Sequence, residues 1–135
     1  MEEGAPFDGG CHCGAIRYRA RATPSETVYC HCRDCRRSTG APVLAWAEFT
    51  ADQFEYVHGE PAIYRSSSSA RREFCAACGT QILFRMDPPS EEVDVNVGSL
   101  DEPGRVEPTH HIWCASRIGW FEIADDLPRF EREST

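Results

Sequence analysis

Seven of the eight cysteines in this 135-residue chain fall into three short groups. The amino terminus, MEEGAPFDGG, has neither the basic nor the apolar region of a secretory signal, so we expect a cytoplasmic and reducing location. Clustered thiols in that setting bind metal more often than they form disulfides. The cysteines are therefore candidate metal ligands, and they occur in GGCHCGAI (Cys11, Cys13), CHCRDC (Cys30, Cys32, Cys35) and FCAACGT (Cys75, Cys78).

The spacing within each group suits a shared ion. Residues two apart in an extended segment point to the same side, so each Cys-x-Cys pair can present two sulfurs to one metal while His12 and His31 face away and pack elsewhere. In the Cys-x-x-Cys group, Gly79 lets the backbone curl close to the second sulfur. Each pair supplies only half of the four ligands that zinc prefers.

Counting ligands suggests how the groups combine. Two pairs complete a structural zinc site, which we call the four-cysteine set: Cys11, Cys13, Cys75 and Cys78. The remaining three-cysteine set, Cys30, Cys32 and Cys35, is one ligand short, and three protein ligands with an open fourth position are typical of catalytic zinc. The alternative is that both sites are structural, with His31, Cys114 or a carboxylate closing the second.

The elements that must position these thiols are mostly strands. Segments rich in β-branched and aromatic residues recur between turns and indicate half-buried antiparallel strands. One or two helical turns are expected from Arg33 to Thr39, with Gly40 as the stop, and the carboxyl end is expected to fray after about Phe130. The chain is predicted to be one mainly β domain spanning residues 1–135, with strands at residues 15–20, 43–49, 54–58, 63–65, 81–85, 93–97 and 110–114.

Charge and composition argue against three classes of function. Acidic residues outnumber basic ones by 22 to 14, giving a formal net charge of −8, which disfavours a nucleic-acid partner. No apolar run approaches the roughly 20 residues that span a bilayer, so no membrane partner is expected. Since all fourteen basic residues are arginine, Schiff-base chemistry through a lysine is excluded.

The cysteine motifs, together with longer matching stretches, make the chain resemble the glutathione-dependent formaldehyde-activating (GFA) enzymes, which are related to centromere protein V. The resemblance covers about residues 9–130. It implies a fold of several small, coiled antiparallel sheets, the β-tent-like zinc fold, and the same two metal sites, with two Zn²⁺ per chain. The matching stretches are GGCHCGAIRY, CHCRDCRRSTGAPVLAW, GEPAIYRSSSSARREFCAACGTQI and HHIWCASRIGWFEIADDLPRF.

The resemblance implies a carbon–sulfur lyase similar to S-(hydroxymethyl)glutathione synthase, acting on a small thiol and an aldehyde. The zinc at the three-cysteine set is expected to bind the incoming thiol as a thiolate rather than to polarise the aldehyde. Arg36 and Arg37 follow the ligands directly and are candidates to bind substrate carboxylates, with surface charge as the alternative. A non-catalytic zinc carrier or adaptor is the rival function. Cys114 is expected to be a buried, inert thiol.

Overall fold

The computed structural model describes residues 5–133, which form two β-sheets and one short helix. The strands are β1 Phe7–Gly10, β2 Arg17–Ala20, β3 Glu26–Cys30, β4 Leu44–Thr50, β5 Phe54–His58, β6 Ala62–Arg65, β7 Ala70–Phe74, β8 Gln81–Met86, β9 Glu92–Asn96 and β10 His110–Ile112. The smaller sheet has the antiparallel order β1-β2-β5, and the larger has the order β10-β3-β4-β9-β8-β7-β6. The mainly β fold predicted from the sequence is confirmed.

The larger sheet separates two clusters of buried side chains. Between the two sheets lies the main core, which includes Tyr18, Phe49, Leu83 and Val95. A smaller cluster lies on the other face of the larger sheet and contains two of the three-cysteine set; its buried members are Val28, Cys30, Cys35, Leu44 and Trp46. Because side chains alternate along a strand, β4 contributes to both clusters: Trp46 points to the smaller cluster and Phe49 to the main core.

The helix α1, Arg33–Thr39, lies where the sequence predicts it. Cys32 is its N-cap, and the sulfur of Cys32 accepts a hydrogen bond from the backbone N–H of Cys35 at 3.2 Å. Gly40 ends the helix in the left-handed conformation at φ 79°, and its N–H donates to the carbonyl of Arg36. The short helix therefore holds two of the three clustered cysteines one turn apart.

Two predictions about the strands are corrected. Not every neighbouring pair is antiparallel, because β10 runs parallel to β3, pairing His111 with Tyr29. Three strands were also missed: β1 (FDGG) lacks the residues that favour strands, β3 overlaps a cysteine motif, and β7 (ARREF) is mostly charged. Tertiary pairing overrides these weak local preferences, and β7 is held between β6 and β8.

The ends of the predicted elements also shift. Val97 and Cys114, predicted to be the last residues of strands, instead begin 3-10 turns at Val97–Ser99 and Cys114–Ser116. The chain beyond Phe130 still makes backbone contacts, since the carbonyls of Glu131 and Arg132 accept hydrogen bonds from Ala115 and Trp113. Further 3-10 turns lie at Ala51–Gln53 and Pro103–Arg105. No helix in residues 5–133 has the length and apolar character needed to cross a membrane.

Candidate metal centres

The four-cysteine set is assembled from two distant loops. Cys11 and Cys13 follow β1, Cys75 and Cys78 follow β7, and their four sulfurs lie within 4.8 Å of one another. The sulfurs of Cys13 and Cys75 are 3.8 Å apart although 62 positions separate them in the sequence. This grouping could hold one metal ion and would then join the amino-terminal strand to the turn after β7.

Backbone geometry aims these sulfurs at one another. Cys11 and Cys13 lie in a turn, in which the Gly14 N–H donates to the Cys11 carbonyl, rather than in the extended segment expected from the sequence. Gly79 has φ 83°, as the close turn after Cys78 requires. The hydroxyl and the backbone N–H of Thr80 lower the pKa of Cys78 to about 5. That thiol is therefore prepared to ionise and bind a cation.

The three-cysteine set lies on the opposite face of the larger sheet from the main core. Cys30 ends β3, Cys32 caps helix α1 and Cys35 lies in its first turn. All three sulfurs lie within 4.8 Å of one another, and those of Cys30 and Cys35 are 3.6 Å apart. Within residues 5–133, no histidine, carboxylate or further cysteine joins this group at the same distance.

The three thiols compete for ionisation because they are crowded and part-buried. Hydrogen bonds from Cys30 and Cys35 lower the pKa of Cys32 to about 2, while the same contacts raise the pKa of Cys30 far above its ordinary value. One thiolate thus forms at the expense of its neighbours. Ionisation of all three requires a cation among them, and soft thiolate donors select metals such as zinc.

His31 does not close this set. Its ring lies on the other side of β3, stacked on His111, with His31 Nε2 2.9 Å from His111 Nδ1. His111 Nε2 is 3.0 Å from a carboxylate oxygen of Asp125, so His111 donates to the carboxylate and accepts from His31. The pKa of His31 is lowered to about 4, mainly by burial and to a smaller extent by the charge of the neighbouring His111. The expectation that this ring packs away from the sulfurs is confirmed.

A family model described as "Glutathione-dependent formaldehyde-activating enzyme" matches residues 6–116, which is most of the chain. The chain belongs to this GFA family. The resemblance inferred from the cysteine motifs is therefore confirmed.

Individual relatives of this GFA-family chain agree with the match. A Halomonas elongata protein, provisionally named a glutathione-dependent formaldehyde-activating enzyme, is 28% identical over 87% of this chain and 80% of its own length. An uncharacterized lyase of Schizosaccharomyces pombe is 35% identical over 58% of this chain, and the match spans only 56% of that protein. A crystal structure of a Rhodobacter sphaeroides protein, 27% identical, superposes with a TM-score of 0.57 over 75% of this chain and 91% of its own.

The other residues singled out in this GFA-family sequence have varied surroundings. Arg36 is part-buried in the last turn of α1, where its Nε has no hydrogen-bond partner, and Arg37 is exposed. Cys114 is only part-buried, in a 3-10 turn, and belongs to neither sulfur cluster. Burial raises the pKa of the Cys114 thiol.

Two carboxylates near the cysteine motifs also have clear surroundings. Glu73 accepts hydrogen bonds from Tyr56 at 2.7 Å and from Arg71 at 2.9 Å, so both of its oxygens have structural partners. Asp34 is exposed in the first turn of α1. Neither carboxylate joins the three sulfurs.

Sequence reasoning missed Arg72, an arginine whose side chain contacts the three-cysteine set. Its terminal nitrogens are 3.8 and 4.0 Å from the sulfur of Cys35, and only 4% of the residue is exposed. The sequence did contain an indication. Arg72 lies two positions from both Ala70 and Phe74, so in a strand the three side chains would lie on the same face. This indication could be used only once ARREF was known to be a strand.

Proposed function

We propose that this protein is a zinc-dependent carbon–sulfur lyase that adds a thiol, glutathione or a similar one, to formaldehyde or a related small aldehyde, or catalyses the reverse reaction. The observation that carries the proposal is the three-cysteine set: three clustered sulfurs with no fourth donor among the described residues. Four-coordinate zinc held by three protein ligands has a position free for a substrate atom. The names of the GFA family and of the Halomonas elongata relative supply the substrate class.

In the forward reaction a carbon–sulfur bond forms. The thiol sulfur donates an electron pair to the carbonyl carbon, the carbonyl π electrons move to oxygen, and the proton lost from sulfur ends on that oxygen. Zinc at the three sulfurs would favour the thiolate form of the incoming thiol, since metal coordination lowers the pKa of a thiol. The reverse reaction breaks the same bond and releases thiol and aldehyde.

Residues of this chain hold the donor set in place. The hydrogen bond from the Cys35 N–H fixes the sulfur of Cys32, while β3 places Cys30 beneath the helix. Packing of Trp113 and Ile112 against the same cluster limits the access of water to the sulfurs. Arg36 and Arg37, which directly follow Cys35 in the helix, are the proposed carboxylate-binding residues for a substrate such as glutathione.

The four-cysteine set is proposed to hold a second, structural zinc. Its four sulfurs satisfy the tetrahedral preference of zinc without any ligand from outside the protein. Because it joins loops that are about 60 positions apart in the sequence, its metal is expected to stabilise the fold rather than to take part in the chemistry.

The test compares the natural protein with Cys32→Ala, using Cys114→Ala as the matched control outside both clusters. We expect two zinc ions per natural chain, one in Cys32→Ala and two in Cys114→Ala, measured by elemental analysis of desalted protein. Interconversion of formaldehyde, glutathione and their adduct, followed by NMR exchange, should be accelerated by the natural protein and the control only.

Each alternative gives a different result. Unchanged zinc content and unchanged thiol binding in Cys32→Ala would refute the three-cysteine metal site. Normal zinc and thiol binding by the natural protein, without acceleration for any pair in a panel of thiols and aldehydes, would instead show a carrier or adaptor.

A further inference from the structure

Arg72 is a buried arginine without a carboxylate partner among the described residues. Its guanidinium carbon lies 4.8 Å from the centre of the Phe84 ring, and its Nε makes no hydrogen bond. The other polar contacts of the side chain are those to the sulfur of Cys35, at 3.8 and 4.0 Å. A buried cation is costly unless an anion compensates it, and the group in reach that can be anionic is this sulfur.

The neighbouring Arg71 shows the contrast on the same strand. Its side chain points to the opposite face of the sheet, where its Nε donates to Glu73 at 2.9 Å and Asp87 lies 4.0 Å away. Arg65 likewise pairs with Asp87. Ion pairs with carboxylates therefore account for Arg71 and Arg65, whereas Arg72 has Cys35 and Phe84 as its side-chain partners among the described residues.

The charge of the metal centre explains why an arginine is placed there. Three thiolates around a divalent ion leave a net charge of −1, and a fourth thiolate brings it to −2. A guanidinium beside Cys35 offsets one of those charges inside the part-buried cluster, where electrostatic interactions are stronger than in water. Because arginine stays protonated in proteins, this compensation is fixed.

We propose that Arg72 is the positioning residue of the three-cysteine metal centre: it orients the sulfur of Cys35 and supplies the positive charge that lets the centre accept an anionic sulfur as its fourth ligand. This inference rests on the proposed function. It narrows the substrate class, because the centre would favour a thiolate over a neutral oxygen ligand. Arg72 is not placed in contact with the reacting atoms.

The experiment uses Arg72→Met, which keeps much of the length and apolar packing over Phe84, Arg72→Lys, which keeps the charge, and Arg71→Met as the control on the same strand. Cobalt-loaded proteins are titrated with a chelator and then with glutathione, while the thiolate-to-cobalt absorption band is recorded. In Arg72→Met we expect the three-cysteine set to lose metal affinity and thiol affinity by about 10- to 100-fold, the usual loss when a residue that supports a metal ligand is removed.

The pattern across variants separates this role from a merely structural one. Arg72→Lys should recover part of the thiol affinity, and the cobalt band of the four-cysteine set should be unchanged in every variant. Equal metal and thiol affinities in Arg72→Met and the natural protein would overturn the inference, as would equal losses from both metal sets. A natural protein that binds one metal only would instead count against the proposed function.

Discussion

Asp94 lies within a row of carboxylates that crosses three neighbouring strands. Glu26 on β3 pairs with Glu48 on β4, which in turn pairs with Asp94 on β9, so the three side chains point to one face of the larger sheet. Burial, together with the smaller effects of the charges of Glu48, Glu92 and Glu26, raises the pKa of Asp94 to about 7. We predict that Asp94→Asn stabilises the protein at pH 8.

The sign follows from proton linkage. When the pKa of a carboxyl is higher in the folded state, the folded protein binds more protons, and the free energy of unfolding falls as the pH rises from about 4 to about 7. A rise from 3.8 to about 7 corresponds to an upper limit of about 4 kcal/mol. Since solvent reaches part of the Asp94 side chain, we expect about 1–3 kcal/mol, or roughly 3–10 °C in melting temperature.

Thermal unfolding followed by circular dichroism, with both metal sets loaded, measures this effect. The gain of Asp94→Asn over the natural protein should be largest at pH 8 and should shrink as the pH is lowered towards 5, because Asp94 is then increasingly protonated in the folded state while it stays mostly ionised in the unfolded state. Glu91→Gln, which removes one negative charge from an exposed position near the start of β9, is the control. A gain that is independent of pH, or an equal gain in both variants, would refute the buried-carboxylate explanation.

Two further predictions concern packing and the structural metal. Gly9→Ala should lower the free energy of unfolding by about 1–3 kcal/mol, because a Cβ there would lie 2.3 Å from the Tyr18 hydroxyl and 2.5 Å from the backbone oxygen of Ser99; urea titration should show no comparable loss in Gly104→Ala, where nothing lies within 4 Å. Cys75→Ala should remove one zinc ion and markedly lower the melting temperature, since structural zinc contributes several kcal/mol or more to folding; zinc analysis and circular dichroism check this, and unchanged zinc content would count against the four-cysteine site.

The grouping of the cysteines could be predicted from the sequence because ligand number is a small integer. Two pairs and one triplet allow few combinations that respect the preference of zinc for four ligands, and the structure brings Cys11, Cys13, Cys75 and Cys78 together as that count requires. The helix from Arg33 to Thr39 could also be predicted from the sequence, since Gly40 marks its end. Both inferences rest on local residues whose chemistry is restrictive.

The surroundings of the sulfurs depend on which strands pair, and pairing could not be predicted. The role of Arg72 depends on β7 lying beside β8, which brings Phe84 beneath the guanidinium. The surroundings of Asp94 depend in the same way on its pairing with Glu48. These contacts are long-range in the sequence, and charged strands such as ARREF give little local indication that they exist.

The alternation of side chains along β3 connects the three-cysteine set to the carboxyl-terminal segment. Because successive side chains point to opposite faces, Cys30 faces the helix while His31 faces His111, which in turn contacts Asp125. Backbone hydrogen bonds between His111 and residues Pro128 and Phe130 then attach the segment to β10. Cys30, a proposed metal ligand, thus lies on one face, while on the other face the hydrogen bonds that join His31, His111 and Asp125 connect this part of the chain to residues nearly one hundred positions away in the sequence.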